Sequence, residues 1–261
     1  MQRIIDFHTH PFLTQDSNIC NHKTVIHMQP EDMPKTFAGL GVEKICGSAL
    51  LLQDPKNPIP VWEQVRRSND IALQLRGMLG DFYYPGCHIH PDYPKESLEE
   101  IRRFAEKGFR LVGELVPYFH NWSDYSCKEF GYLLDACGEC GMVVSMHAMG
   151  EDEMDRMVKA HKHVTMVIAH PGELDSFLRH LQRMDMSENY YLDVSGTGLF
   201  RHGMLARGIA EQGADRFLFG SDYPTCNPAM FVGGVLLDEL ISREDKEKIL
   251  YTNAKKLLNL D

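Results

Sequence analysis

Eight short apolar runs, each followed by a stretch of helical spacing or a connection leading to one, constrain this chain more than any other feature. They occupy residues 3–7, 44–52, 79–90, 109–116, 142–147, 164–170, 190–195 and 216–221. Runs of this kind, rich in Val, Ile, Leu and aromatic residues, read as strands buried on both faces of a parallel sheet. Between them, residues 95–107, 125–140, 151–161, 173–184, 204–212, 229–240 and 243–258 place apolar side chains at helical intervals. In 125–140, for example, Phe130, Leu133, Leu134 and Cys137 share one side and Gly141 ends the pattern.

Such alternation builds either a closed barrel or an open doubly wound sheet. The first run leads into Phe7-His8-Thr9-His10-Pro11 rather than the glycine fingerprint of a dinucleotide-binding turn. A barrel of eight strand–helix units takes about 250 residues, so a chain of 261 residues is used up by one. The expectation is a single (β/α)8 TIM barrel over residues 1–261, with no linker or repeat marking a boundary.

Lys and Arg number 27 against 37 Asp and Glu, a net charge of −10. Nucleic-acid binding rests largely on neutralising phosphates with basic side chains, so no nucleic-acid partner is expected. The apolar runs fall far short of the ~18 residues of a membrane span, and the first residues hold no apolar signal core. The 7 cysteines, an odd number at irregular spacing, fit reduced thiols. The chain reads as a cytoplasmic protein acting on a small molecule, with association into a homo-oligomer left open. Cys137 and Cys140 have no second pair to complete a zinc site. They lie at a helix C-terminus, where the dipole raises a thiol pKa, and they read as structural.

Residues able to hold a metal stand at the C-terminal ends of five of the runs, the face on which barrel active sites form. The first ends in Asp6-Phe7-His8-Thr9-His10, whose alternate residues share a face on an extended strand. His8 and His10 can chelate one cation, and Asp6, one step deeper, can accept a supporting hydrogen bond. The fourth run carries Glu114, the fifth ends at His147, the sixth at His170, and the eighth at Asp222. Singly, each fits a loop or core residue as well as a ligand; together they point to one site. Imidazole and carboxylate donors suit zinc first, then manganese, iron or nickel.

This set resembles the amidohydrolase superfamily. Asp6-Phe7-His8-Thr9-His10, His147, His170 and Asp222 fall where that family's metal-site residues lie. Tyr191-Leu192-Asp193-Val194-Ser195-Gly196 and Asn253-Ala254-Lys255-Lys256-Leu257 extend the resemblance over the whole chain. Gly220-Ser221-Asp222-Tyr223-Pro224 is most similar to the amidohydrolase-related (amidohydrolase 2) branch. Binuclear relatives often bridge two metals with a carboxylated lysine; here stands Gly113-Glu114, which resembles the bridging glutamate of TatD-like deoxyribonucleases. The other reading of Glu114 is a carboxylate paired with a cation such as Arg110. The resemblance implies two arrangements. In the binuclear one, His8, His10, Glu114 and Asp222 hold one metal and Glu114, His147 and His170 the other. In the mononuclear one, His8, His10, His147 and Asp222 hold the metal and His170 polarises the substrate.

A bound cation lowers the pKa of coordinated water from about 15.7 towards about 7. Asp222 is then the candidate general base that hands the proton on to the leaving group, with the second metal or His170 stabilising the oxyanion. The expected reaction is hydrolysis of an amide, ester or lactone of a small organic substrate. One alternative is a decarboxylase of the aminocarboxymuconate semialdehyde or hydroxybenzoate type, which uses one metal and gives Glu114 no ligand role. The other is a TatD-like nuclease, which the net charge disfavours. A barrel that binds metal without catalysis has no need of a base such as Asp222. Loop residues that can face a substrate are Tyr118, His120 and Trp122, Arg201 and His202, and Tyr223 and Asn227, with Arg201 suited to clamp a carboxylate. Each also suits a plain packing or surface role. A second His-x-His, His88 and His90, reads as a turn before Pro91, and the 14 methionines as core filler.

Overall fold

A strand lies on each of the eight runs: β1 (Ile4–Asp6), β2 (Val42–Gly47), β3 (Tyr83–Pro85), β4 (Leu111–Leu115), β5 (Val143–His147), β6 (Thr165–Ala169), β7 (Tyr190–Asp193) and β8 (Phe217–Leu218). The computed structural model describes residues 2–20, 29–198 and 201–260, so residues 21–28 of the long connection after β1 lie outside the described residues. Strands pair in parallel in the orders β1-β2-β3 and β4-β5-β6-β7-β8. Backbone bridges close both seams, Cys87 with Val112 and Thr9 with Tyr223. Across the second seam Phe7 N–H donates to Phe219 O and Asp222 N–H to His8 O, each at 2.9 Å. The result is the expected closed (β/α)8 barrel.

The helices follow in turn: α1 (Met33–Ala38), α2 (Val61–Leu79), α3 (Pro94–Glu106), α4 (Lys128–Glu139), α5 (Glu151–Ala160), α6 (Leu174–Met186), α7 (Met204–Gln212) and α8 (Pro228–Leu236). Residues 243–258, expected as one helix, divide into α9 (Arg243–Glu247) and α10 (Asn253–Leu257) around a π-helical turn, Lys248–Thr252. Helix α8 stops short of residue 240, and Asp238 there accepts the Leu240 N–H in a turn of its own.

Two departures from the sequence pattern have clear causes. The apolar period does not announce α2, because its buried face mixes Gln64, Ser68 and Asn69 with Val65, Ala72 and Leu75. Those polar groups serve backbone outside the helix: Gln64 Nε2 donates to Leu51 O at 2.7 Å and Asn69 Nδ2 to His88 O at 3.0 Å. Leu79, read as the start of the third strand, is the last residue of this helix. Strand β8 is shorter than 216–221 because its later amides go elsewhere, Phe219 N–H to Ile249 O and Ser221 N–H to the Asp6 carboxylate, each at 2.9 Å.

Neighbours such as Val143 and Val144 fall in different buried clusters, as alternating strand faces require. One cluster gathers Ile5, Phe7, Cys46, Tyr84, Leu111, Val143, Val167 and Leu218 from around the barrel, with Ala254 and Leu258 beside them. The larger one joins the opposite strand faces to the helices, through Phe104, Leu133, Leu134 and Phe177 among others. Among the described residues no helix is long and apolar enough to cross a membrane.

Candidate metal centre

Five strand ends deliver their side chains to one point. His8 and His10 follow β1; their Nε2 atoms stand 3.3 Å apart. Glu114, on β4, sets Oε2 at 2.9 Å from His10 Nε2 and 3.2 Å from His8 Nε2. Its other oxygen, Oε1, lies 3.0 Å from His147 Nδ1 at the end of β5 and 3.6 Å from His170 Nε2 just past β6. Asp222 Oδ1 stands 3.7 Å from His8 Nε2 and 3.8 Å from His10 Nε2. The structure therefore brings together all six of the residues expected as ligands. Glu114 meets these histidines and not Arg110, which is exposed.

The backbone helps to aim two of them. His170 and Asp222 sit at φ of 70° and 58°, the left-handed region that costs a non-glycine residue about 1–3 kcal/mol. Each turns the chain away from its strand direction at the barrel mouth.

Hydrogen bonds fix what the rings offer. His8 Nδ1–H donates to Asp193 Oδ2 at 2.9 Å, and His10 Nδ1–H to Ser48 O at 3.1 Å. Both Nε2 atoms then carry lone pairs, and they face each other and the Glu114 carboxylate. Three acceptors in contact with no hydrogen among them require a proton or a cation between them. In the protein alone a proton meets that need. Burial opposes the charge on His8, yet Glu114 and Asp193 hold its pKa well above the usual imidazole value. Glu114 is buried too, yet His8 and the close contacts with His10 and His147 keep its carboxyl well below the usual range. His147 is likewise raised, against its burial, by the Glu114 hydrogen bond, whereas burial lowers His170. Two donor groups, His8/His10/Glu114 and Glu114/His147/His170, each have ligand atoms within 4.8 Å of one another. Their nitrogen and carboxylate chemistry fits divalent cations.

A cavity of about 520 Å³ opens over this cluster. Its floor is His10, Glu114, His147, His170 and Asp222, and its walls include Ile19, Leu50, Val116, Phe119, Tyr118, Thr197, Thr225 and Cys226. Of the loop residues expected to face a substrate, Tyr118 lines this cavity, its ring set edgewise against His147 at 5.4 Å. The others do not line this cavity. His120 is buried against His88, ring centroids 4.8 Å apart, and Trp122 packs on Tyr125 and Phe130. Tyr223 is buried against Phe37. Arg201 and His202 are exposed, Arg201 in an ion pair with Glu173, and Asn227 caps α8.

Asp6 also differs from expectation. Its Oδ1 accepts backbone N–H groups from Ser221 and His8 and no imidazole proton, and burial raises its pKa to about 7. The carboxylate that supports a ring is Asp193, with Ser195 beside it, at the end of β7. The alternate spacing Asp193-x-Ser195 is the same signal that singled out His8-x-His10. His88 and His90 are buried, and His90 opens the expected turn at Pro91, its carbonyl accepting the Tyr93 N–H at 3.1 Å. Their Nε2–H groups bond the carbonyls of Ala49 at 3.0 Å and His120 at 2.8 Å. Cys137 is buried and Cys140 exposed, both free thiols.

Comparison with known proteins places the sequence and the fold. A family model described as amidohydrolase matches residues 5–260. The 2,6-dihydroxybenzoate decarboxylase from Rhizobium superposes with a TM-score of 0.72 at 18% identity over 100% of both chains. The dihydroxybenzoic acid decarboxylase from Polaromonas sp. JS666, with bound manganese and the inhibitor 2-nitroresorcinol, gives 0.70 at 17% identity over 100% of this chain and 98% of that one. A probable 2-pyrone-4,6-dicarboxylic acid hydrolase from Acinetobacter baumannii, with citric acid bound, gives 0.68 at 14% identity over 98% and 99%. At such identities these likenesses concern the fold. No curated protein matches the sequence.

Proposed function

This chain belongs to the amidohydrolase family, and on that premise we propose that it is a metal-dependent hydrolase acting on an amide, ester or lactone of a small organic substrate. The observation that carries the reading is the Glu114 carboxylate, with one oxygen toward His8 and His10 and the other toward His147 and His170. His8, His10, Glu114 and Asp222 would hold one divalent cation, and Glu114, His147 and His170 a second. Bound there, the cations supply Lewis-acid polarisation of a carbonyl and acidify water toward neutral pH. Zinc is the first choice for this donor set, then manganese, iron or nickel.

The chain's own residues do the remaining work. The Asp222 carboxylate, on the cavity floor, takes the proton of the attacking water and returns it to the leaving group. Ile19, Leu50, Val116 and Phe119 take up the organic part of the substrate, and the water they exclude leaves the charges below less screened. Tyr118 borders the cavity beside His147. Ser48 ties two donors together, its carbonyl accepting from His10 and its hydroxyl donating to Glu114 O at 3.0 Å.

A second reading, decarboxylation of an aromatic acid, draws support from the named activities of the Rhizobium and Polaromonas proteins. It needs one cation and gives Glu114 no ligand role. Elemental analysis of wild type and Glu114→Gln, purified side by side, separates the two. About two equivalents per chain, falling in the variant, with turnover of lactones, esters or amides, upholds hydrolysis. One equivalent unchanged in the variant, with carbon dioxide released from aromatic acids, replaces it.

A further inference from the structure

The hydroxyl of Ser195 touches both halves of the centre. Ser195 is fully buried, two residues past the end of β7. Its Oγ lies 3.0 Å from His8 Nδ1 and 3.1 Å from His170 Nδ1, and it is hydrogen-bonded to Asp193 Oδ1. A hydroxyl has one hydrogen to give and two lone pairs to receive. An ionised carboxylate only accepts, so the Ser195 proton must go to Asp193. The two lone pairs can then be met only by N–H groups, one from each imidazole. His170 therefore carries its proton on Nδ1, and its Nε2, 3.6 Å from Glu114 Oε1, is bare.

We infer that Ser195 is a positioning residue whose hydroxyl, anchored on Asp193, holds His170 in the Nδ1–H form and reserves Nε2 as a lone-pair donor toward Glu114 and His147. The part of this that concerns a second cation rests on the reading given under Proposed function; the tautomer does not. A bare Nε2 cannot donate a hydrogen bond to a substrate carbonyl, so in its neutral form His170 serves as a ligand and not as the group that polarises the substrate. Gly196 supports the lock, because a Cβ there would stand 2.2 Å from His170 Nδ1. The ring is seated directly against the backbone that carries Ser195.

The two histidines depend on Ser195 unequally. His8 Nδ1–H has a second acceptor in Asp193 Oδ2 at 2.9 Å, whereas the acceptor for His170 Nδ1–H is Ser195. Removing the hydroxyl should loosen the His147/His170 position and spare the His8/His10 position. Losing such a supporting partner typically costs about 10–100-fold in metal affinity.

Two measurements test this. In metal-free protein labelled with nitrogen-15 histidine, long-range proton–nitrogen correlations at pH 8 report each ring's tautomer, with His170 assigned by its loss in His170→Asn. The expected result is Nδ1–H for His170 in wild type and in Ser195→Thr, which keeps a hydroxyl, and a shift toward Nε2–H in Ser195→Ala. An Nε2–H tautomer for His170 in wild type overturns the inference, whatever the variants do. Calorimetric titration of metal-free protein with zinc should then show two binding steps, of which Ser195→Ala weakens one by about 10–100-fold and leaves the other in place. Equal weakening of both steps, or of neither, overturns the positioning role. A wild type with Nδ1–H on His170 but a single step defeats the two-cation reading while upholding the tautomer lock.

Discussion

His8 and Asp193 stand 185 positions apart in the chain and meet in a fully buried hydrogen bond, Nδ1–H to Oδ2 at 2.9 Å. It joins the first strand to the seventh and leaves His8 Nε2 facing Glu114. Asp193→Asn keeps the shape and removes the charge. The expected result is a loss of about 10–100-fold in affinity for the cation at His8 and His10, read by zinc titration calorimetry. Unchanged affinity would remove Asp193 from the centre.

Asp222→Asn should lower turnover by about 10²–10⁴-fold, the usual contribution of a positioned general base. Circular dichroism should be unaltered, because Asp222 is at the cavity surface and its backbone N–H still reaches His8 O. Wild-type turnover in this variant would exclude Asp222 as the base.

Gly196→Ala adds a Cβ 2.2 Å from His170 Nδ1 at a residue with φ of 61°. The ring must move and the backbone is strained. Denaturant titration should show a loss of about 1–3 kcal/mol, together with weaker binding at the His147/His170 position. A variant with wild-type stability and metal content would mean that the ring has room to shift.

Acid should destabilise the fold in a defined window. Burial, aided by His10 near His88 and by Arg183 near His180, drives both pKa values down to about 3. An unfolded imidazole titrates near about 6.5. As pH falls from about 6.5 to 3, the unfolded chain takes up protons that the folded one refuses. Stability is therefore lost on acidification, by about 1.4 kcal/mol per pH unit for each such histidine. Urea titrations from pH 6 to 4 should give a slope shallower by about one proton in His180→Asn. An identical slope would show that His180 is not held neutral.

The barrel and the centre were legible for the same reason. Strands buried on both faces leave unbroken apolar runs, and five of the eight carried near their ends a residue type that an apolar interior does not tolerate without purpose: His8, Glu114, His147, His170, Asp222. What could not be read was contact across the fold. Asp193 looked like any strand-end carboxylate, because nothing local says that His8 lies beside it. Asp6 shared the spacing of His8 and His10, yet its carboxylate went to backbone amides at the β8 seam. Of the loop residues expected to face a substrate only Tyr118 lines the cavity, because position after a strand does not say where a side chain turns. Trp122 and His120 turn inward to pack, and Arg201 pairs with Glu173. Helix α2 was hidden by Gln64, Ser68 and Asn69, polar residues buried to serve neighbouring backbone.

The seam at which Asp222 N–H meets His8 O also sets an order of events during synthesis. His8 and His10 leave the ribosome well before Asp222, which follows them by more than 200 residues. Until then a nascent or truncated chain presents its histidines without the eighth strand that completes their surroundings. Retention of the cation, followed by protease resistance, would therefore report that the ring of strands has joined end to end.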